Sequence, residues 1–150
     1  MVKSGDMLIG EYNVKLGDKN RVALPKSFRK SLNNKLIITR GFEGCVLVMS
    51  SAQWEKLVTD EISGPFVLEN IRDTTRFLLG SANYIDLDFQ GRFVVPKYLI
   101  EHARIESECV FLGLGRWVEL WGQESWSRKL KAIQKNISGI GNELASMNKF

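Results

Sequence analysis

Apolar and polar positions alternate at Tyr12, Val14 and Leu16, and the same alternation returns at Ile85 and Leu87. A period of two is that of a half-buried strand. A polar turn follows each, Gly17-Asp18-Lys19-Asn20 and Asp88-Phe89-Gln90-Gly91, and Gly91 tolerates a positive φ there. The short strands Arg21-Val22-Ala23-Leu24 and Arg92-Phe93-Val94-Val95 come next. Pro25 and Pro96 then stand where a helix begins, since the missing N–H costs nothing in the first turn. The pattern predicts short helices over Ser27–Leu32 and Tyr98–Ala103. Strands follow over Lys35–Thr39 and Cys45–Met49, then Cys109–Leu112 and Trp117–Trp121, turning at Arg40–Gly44 and Gly113–Arg116. Further helices start around Ser51–Trp54 and Glu124–Trp126.

The chain therefore repeats itself. At an offset of 71 residues Leu16, Arg21, Pro25 and Lys26 meet Leu87, Arg92, Pro96 and Lys97, and at an offset of 72 Gly41, Val46 and Trp54 meet Gly113, Val118 and Trp126. Two matched blocks in the same order mark a tandem duplication. The division reads as a first repeat over 7–60, a helical connector over 61–79, a second repeat over 80–125 and a C-terminal helix over 126–150. In the connector, Phe66, Ile71, Phe77 and Leu78 are candidate core positions. A repeat of about 50 residues buries too little apolar surface to stand comfortably alone, so one core shared about a pseudo-two-fold axis is expected. In the C-terminal helix Trp126, Leu130, Ile133, Ile137, Ile140, Leu144 and Met147 form a heptad seam, interrupted by Gly139 and Gly141. That seam packs either on the protein's own body or between subunits.

Composition narrows the class. The 150 residues are 44% hydrophobic and 25% charged, as in an ordinary soluble globular protein. No apolar run reaches 18 residues and the first residues hold no apolar secretory core, so a cytoplasmic protein without a membrane partner is expected. Cys45 and Cys109 lack disulfide-scaffold or metal-ligand spacing and lie in apolar runs, which predicts inert buried thiols. His102 is the single histidine and has no companion for a metal site. Gly113-Leu114-Gly115 begins a dinucleotide fingerprint, but Val118 stands where its third glycine belongs. Asp86 and Asp88 form one carboxylate pair with no metal-binding companion, which reads as structural. No residue set supports catalysis, a metal, a cofactor or a small-molecule substrate, and the expectation is a protein that is not an enzyme.

The net charge of +4 is unevenly spread. Residues 1–60 carry ten Lys/Arg against six Asp/Glu, residues 61–127 carry six against ten, and residues 128–150 carry five against one. Between 15 and 40 there are eight Lys/Arg and only Asp18 opposing them, which points to an anionic partner.

Three stretches, Met7–Tyr12, Asp18–Arg29 and Thr39–Cys45, together with Asp88–Pro96 and Val118–Trp121, resemble the MraZ family of bacterial transcriptional regulators. The resemblance runs from residue 7 to about 130, which makes residues 1–6 look like an extension or an alternative start. It implies a β-rich α+β fold: two tandem SpoVT/AbrB-like β-α-β units interleaved into a pseudo-two-fold swapped-hairpin (double-split) barrel with flanking helices. It also implies ring-like homo-oligomers, nucleoid association, and binding to repeated promoter boxes upstream of the division and cell-wall gene cluster. Asp88 and Arg92 match the family's Asp-x-x-x-Arg; in the first repeat Arg21 matches, but Gly17 replaces the aspartate and Asn20 the usual glycine. Asn is the best non-glycine residue for a left-handed position.

The two repeats differ in charge at equivalent positions. Lys15, Lys19, Arg21, Lys26, Arg29 and Lys30 of the first face Asp86, Gln90, Arg92, Lys97, Ile100 and Glu101 of the second. The first repeat is therefore the expected face for double-stranded promoter DNA, through these six residues, with Arg21 the candidate for a base edge. Asp88 and Arg92 are expected to be a structural turn pair. An antitoxin-like interaction module of the AbrB type is the alternative reading.

Overall fold

The computed structural model describes residues 7–32 and 35–147; residues 1–6 and the last three of the C-terminal segment, with the expectations placed on them, lie outside the described residues. The first repeat holds β1 (Leu8–Lys15), a 3-10 turn (Asp18–Asn20), β2 (Arg21–Ala23), α1 (Lys26–Ser31), β3 (Leu36–Arg40), β4 (Val46–Ser50) and α2 (Ser51–Leu57). A π-helical turn (Val58–Ile62) and α3 (Glu69–Leu78) follow. The second repeat holds β5 (Asn83–Ile85), β6 (Arg92–Val94), α4 (Lys97–Ala103), β7 (Glu108–Gly115) and β8 (Val118–Gly122), and α5 (Gln123–Met147) closes the chain. The elements anticipated from periodicity are present with ends shifted by a few residues, and Asp86 lies past the end of β5 rather than on it.

The repeats exchange strands. The main sheet runs β1-β7-β8-β4-β3-β5 and a separate ribbon pairs β2 with β6, all antiparallel. Each strand of one repeat thus pairs with a strand of the other. In β4/β8, Leu47 faces Glu119, and in β2/β6, Val22 faces Phe93. Both pairs are equivalent positions of the duplication, so the pseudo-two-fold axis passes between them. The ladder ends at β1 and β5, so among the described residues the main sheet is open and its strand pairing closes no ring.

The sheet is covered on both faces. Leu36, Ile38, Val46, Val48, Cys109, Phe111, Val118 and Leu120 bury one face with Val22, Leu24, Phe28, Phe93, Val95 and Leu99 of the ribbon, α1 and α4. Ile37, Leu47, Met49, Val110, Leu112 and Trp121 alternate onto the other face with Trp54, Ile62 and Leu78. A strand buried on both faces needs apolar residues at every position, which is why Cys45–Met49 reads as a continuous apolar run. Hydrogen bonds also dock the connector: Thr39 Oγ1 donates to the Leu78 carbonyl, Ser81 Oγ accepts from the Arg40 N–H at 3.1 Å, and Tyr98 Oη donates to the Ser81 carbonyl at 2.8 Å.

One expectation is corrected and one open alternative is narrowed. Of the connector candidates, Leu78 is buried and Ile71 and Phe77 are half-buried, but Phe66 is 81% exposed. It precedes α3, and its ring lies 6.0 Å from the Arg72 guanidinium. The heptad seam of α5 lies on the protein's own body as far as Ile133 and leaves it beyond. Trp126 packs 5.5 Å from Trp121 and donates Nε1–H to Glu11 at 3.0 Å, but every residue from Gln134 to Met147 is exposed.

Candidate nucleic-acid interface

Antiparallel partners share a face, and neighbours along a strand alternate. With Val22 and Phe93 buried, the outer face of the β2/β6 ribbon carries Arg21 beside Val94 and Ala23 beside Arg92. The two arginines are related by the pseudo-two-fold axis and stand at opposite ends of the ribbon. Each is preceded by its turn, and each turn closes with a backbone bond from the residue before it: Gly17 N–H to Arg21 C=O at 2.8 Å, and Asp88 N–H to Arg92 C=O at 2.9 Å.

The turns differ in what their side chains do. In the second, Asp88 Oδ1 accepts from the N–H of Gln90 and of Arg92, both at 2.9 Å, and Oδ2 accepts from Arg92 Nε at 3.0 Å. The Arg92 backbone N–H, more than the guanidinium, holds the Asp88 carboxyl below its ordinary pKa. In the first turn Gly17 offers no carboxylate, and among the described residues Arg21 has no ion-pair partner. Lys19 and Asn20 adopt φ 60° and 58°, so Asn20 takes the left-handed conformation that Gly91 takes at 78°. Lys19 is exposed at the tip of this turn.

The remaining basic residues divide. Lys26 and Lys30 are exposed on α1. Lys15 ends β1 opposite Glu108, with Nζ 3.7 Å from its Oε1. Arg29 leaves the basic face: it is half-buried, crosses to the second turn, and donates Nη1–H to the Gln90 carbonyl at 3.4 Å. A Cβ at Gly91 would overlap its guanidinium. Phe89 carries no functional expectation in the sequence, yet it is 94% exposed beside Asp88. The available signal was a large aromatic inside an otherwise polar turn.

The other chemical candidates are committed elsewhere. His102 Nε2 lies 3.0 Å from the Gly41 carbonyl and its ring meets Phe77 edge-on at 5.7 Å. Burial pushes the Cys109 thiol up to about 11 and raises Cys45 further, so neither is a thiolate at neutral pH. Burial also raises Glu119, whose Oε1 accepts from Trp121 Nε1 at 2.8 Å. No helix among the described residues is long and apolar enough to cross a membrane.

These features define a class: a duplicated β-α-β unit whose copies exchange antiparallel strands and turn an arginine-bearing ribbon outward. A family model described as "MraZ protein, putative antitoxin-like" matches residues 7–77 and again 78–143. Proteins named transcriptional regulator MraZ are similar over nearly the whole chain. That of Clostridium acetobutylicum is 37% identical over 141 residues, covering 90% of this chain and 99% of the relative. That of Roseiflexus sp. (strain RS-1) is 36% identical, covering 94% and 99%. That of Pediococcus pentosaceus is 34% identical, covering 92% and 96%. The chain belongs to the MraZ family.

Proposed function

We propose that this protein is a sequence-specific DNA-binding transcriptional regulator of the bacterial division and cell-wall gene cluster. It acts in the cytoplasm on the nucleoid, as a ring-like homo-oligomer that binds repeated promoter boxes. The observation that carries this reading is the outward β2/β6 ribbon whose basic end holds Arg21, which pairs with no carboxylate among the described residues. A two-stranded ribbon fits the major groove, where an arginine can address guanine O6 and N7. Lys19 beside it, with Lys26 and Lys30 on α1, supplies phosphate contacts, which position the protein without reading sequence. Arg92, held by Asp88, serves the turn. One ribbon reads few bases, so specificity rests on several subunits engaging several boxes at once. The strand exchange supports the swapped-hairpin arrangement of two SpoVT/AbrB-type units as the scaffold.

The test is titration of the cluster's promoter fragment, and of a scrambled fragment of equal length, at several salt concentrations. Tight binding to the promoter that weakens with salt, and that falls in Arg21→Ala and Lys19→Ala, is expected. Equal affinity for both fragments, or unchanged affinity in both variants, overturns the assignment.

A further inference from the structure

We infer that the cavity between the second face of the main sheet and the helical segment over 58–78 binds a small amphipathic amine. Its apolar body fills the cavity, its ammonium group meets Glu119 and Glu43, and an adjacent oxygen accepts the Trp117 indole N–H. The cavity has a volume of about 390 Å³, within the range of sites that take small organic ligands. Its walls include Leu47 and Met49 of β4, Ile62 of the π-helical turn and Leu78 of α3, so most of what fits there is apolar. Three carboxylates line it, those of Glu43, Glu61 and Glu119, and among the described residues no Lys, Arg or His does. Charge complementarity therefore selects a cation for the polar end.

The duplication shows that the fold itself does not require two of these carboxylates. Glu119 stands in β8 where the first repeat has Leu47, its cross-strand neighbour on the same face of the sheet. Placing a carboxyl there is unfavourable: burial, and then the nearby charge of Glu43, push its pKa up. Its Oε1 accepts from Trp121 Nε1 at 2.8 Å, a bond that a glutamine would make without the charge. Glu43 stands where the second repeat has Gly115, and both have positive φ, 60° and 90°. Glutamate in that left-handed conformation is strained where glycine is not. Both glutamates thus replace a residue that serves the equivalent strand or turn with less strain, and both face one cavity. Trp117 lines it too, and its Nε1–H is buried with no hydrogen-bond partner among the described residues. An unpaired buried donor is destabilising, and a ligand oxygen would satisfy it. An ammonium has no acceptor, so the ligand's head carries both groups, as a β-amino alcohol does. This site is independent of the DNA-binding reading, and its failure leaves that reading untouched.

The test titrates the full chain with phenylethanolamine, which joins an aromatic body to an ammonium and a neighbouring hydroxyl, and follows the indole N–H resonances. Trp117→Phe assigns the resonance of Trp117. That resonance is expected to shift saturably while the one from Trp126, outside the cavity, stays in place. Phenylethanediol, with a neutral hydroxyl for the ammonium, and mandelate, with a carboxylate in its place, are expected to bind at least about tenfold more weakly. Phenethylamine, which lacks the hydroxyl, is also expected to bind more weakly. Glu119→Gln keeps the acceptor for Trp121, and Glu43→Gly copies the second repeat. Both variants are expected to lose affinity for phenylethanolamine, Glu119→Gln by at least about tenfold, without a fall in thermal midpoint. Absence of a saturable shift, equal binding of any of the three analogues, or wild-type affinity in Glu119→Gln overturns the inference. A shift that appears only on dilution overturns it too, because a second copy of the chain would then fill the cavity.

Discussion

Asn20 and Gly91 hold the same place in the two repeats, and each gives its carbonyl to the other repeat. The Val95 N–H donates to Asn20 at 2.8 Å and the Leu24 N–H to Gly91 at 2.9 Å. Both residues have positive φ. A residue that departs from glycine thus keeps a bond on which the exchange of strands depends. Asn20→Gly is expected to change stability by less than about 0.5 kcal/mol, because relief of the left-handed conformation is offset by greater freedom of the unfolded chain. Asn20→Val, β-branched and poorly suited to this region, is expected to cost about 1–3 kcal/mol. Urea unfolding of the three proteins measures both.

Gly91 and Arg29 are coupled by contact. Gly91→Ala meets both the positive φ and the Arg29 guanidinium, and is expected to cost about 1–3 kcal/mol. Arg29→Ala removes the overlap and leaves the backbone strain. A double-mutant cycle is therefore expected to give a coupling of at least about 0.5 kcal/mol, with Gly91→Ala less harmful in the Arg29→Ala background. Additive effects would mean that Arg29 turns away from Gly91 in solution.

The duplication was legible because it rests on identities between residues of one chain. So was the left-handed turn of the first repeat, because asparagine tolerates that conformation. The strand exchange has no local signal. Whether β1 pairs with β3 or β7 depends on the arrangement of the whole sheet, and the apolar runs are equally satisfied by either partner. The inward turn of Arg29 is not local either. Three basic residues on a six-residue helix look alike in sequence, and what draws one of them inward is an open space above Gly91, far along the chain. Phe66 looked like core because it is apolar. It lies outside α3, ahead of the helical turn that brings Leu78 into the core.

Asp88 makes the second turn acid-sensitive. Its folded pKa is depressed below its unfolded value, so its contribution to stability is present at neutral pH and is lost as pH falls through the folded pKa. Asp88→Asn is expected to melt below the wild-type protein at pH 7 and to converge with it below the ordinary carboxylate range, about pH 4. Thermal midpoints between pH 7 and pH 2 check this. A gap that is constant across the series would assign the loss to geometry rather than charge.

Glu119 works in the opposite sense. Burial raises its pKa, so the folded state prefers the protonated carboxyl, and the penalty grows as pH rises through the unfolded value. Its Oε1 accepts from Trp121, and a glutamine oxygen can accept the same bond. Glu119→Gln is therefore expected to be neutral or stabilising at pH 7, and to lose that advantage on acidification. Denaturant midpoints at pH 7 and pH 4 measure the change, and a large destabilisation at pH 7 would show that the charge itself is required.

Arg21 and Lys19 are neighbours in sequence with different proposed tasks, and salt separates them. A lysine that contacts only phosphate weakens binding to every sequence alike, and its removal lowers the slope of log affinity against log salt by about 1. An arginine on a guanine edge contributes about 1–3 kcal/mol to discrimination, so its loss relaxes specificity at that base. Lys19→Ala is thus expected to weaken promoter and scrambled DNA in parallel with a shallower salt dependence. Arg21→Ala is expected to bring the two affinities together. Neither substitution removes a buried contact, so both thermal midpoints should stay at the wild-type value. If Arg21→Ala keeps full discrimination and loses only affinity, the arginine acts on phosphate and the base-reading group lies elsewhere, with the exposed ring of Phe89, in the turn before β6, the next residue to replace.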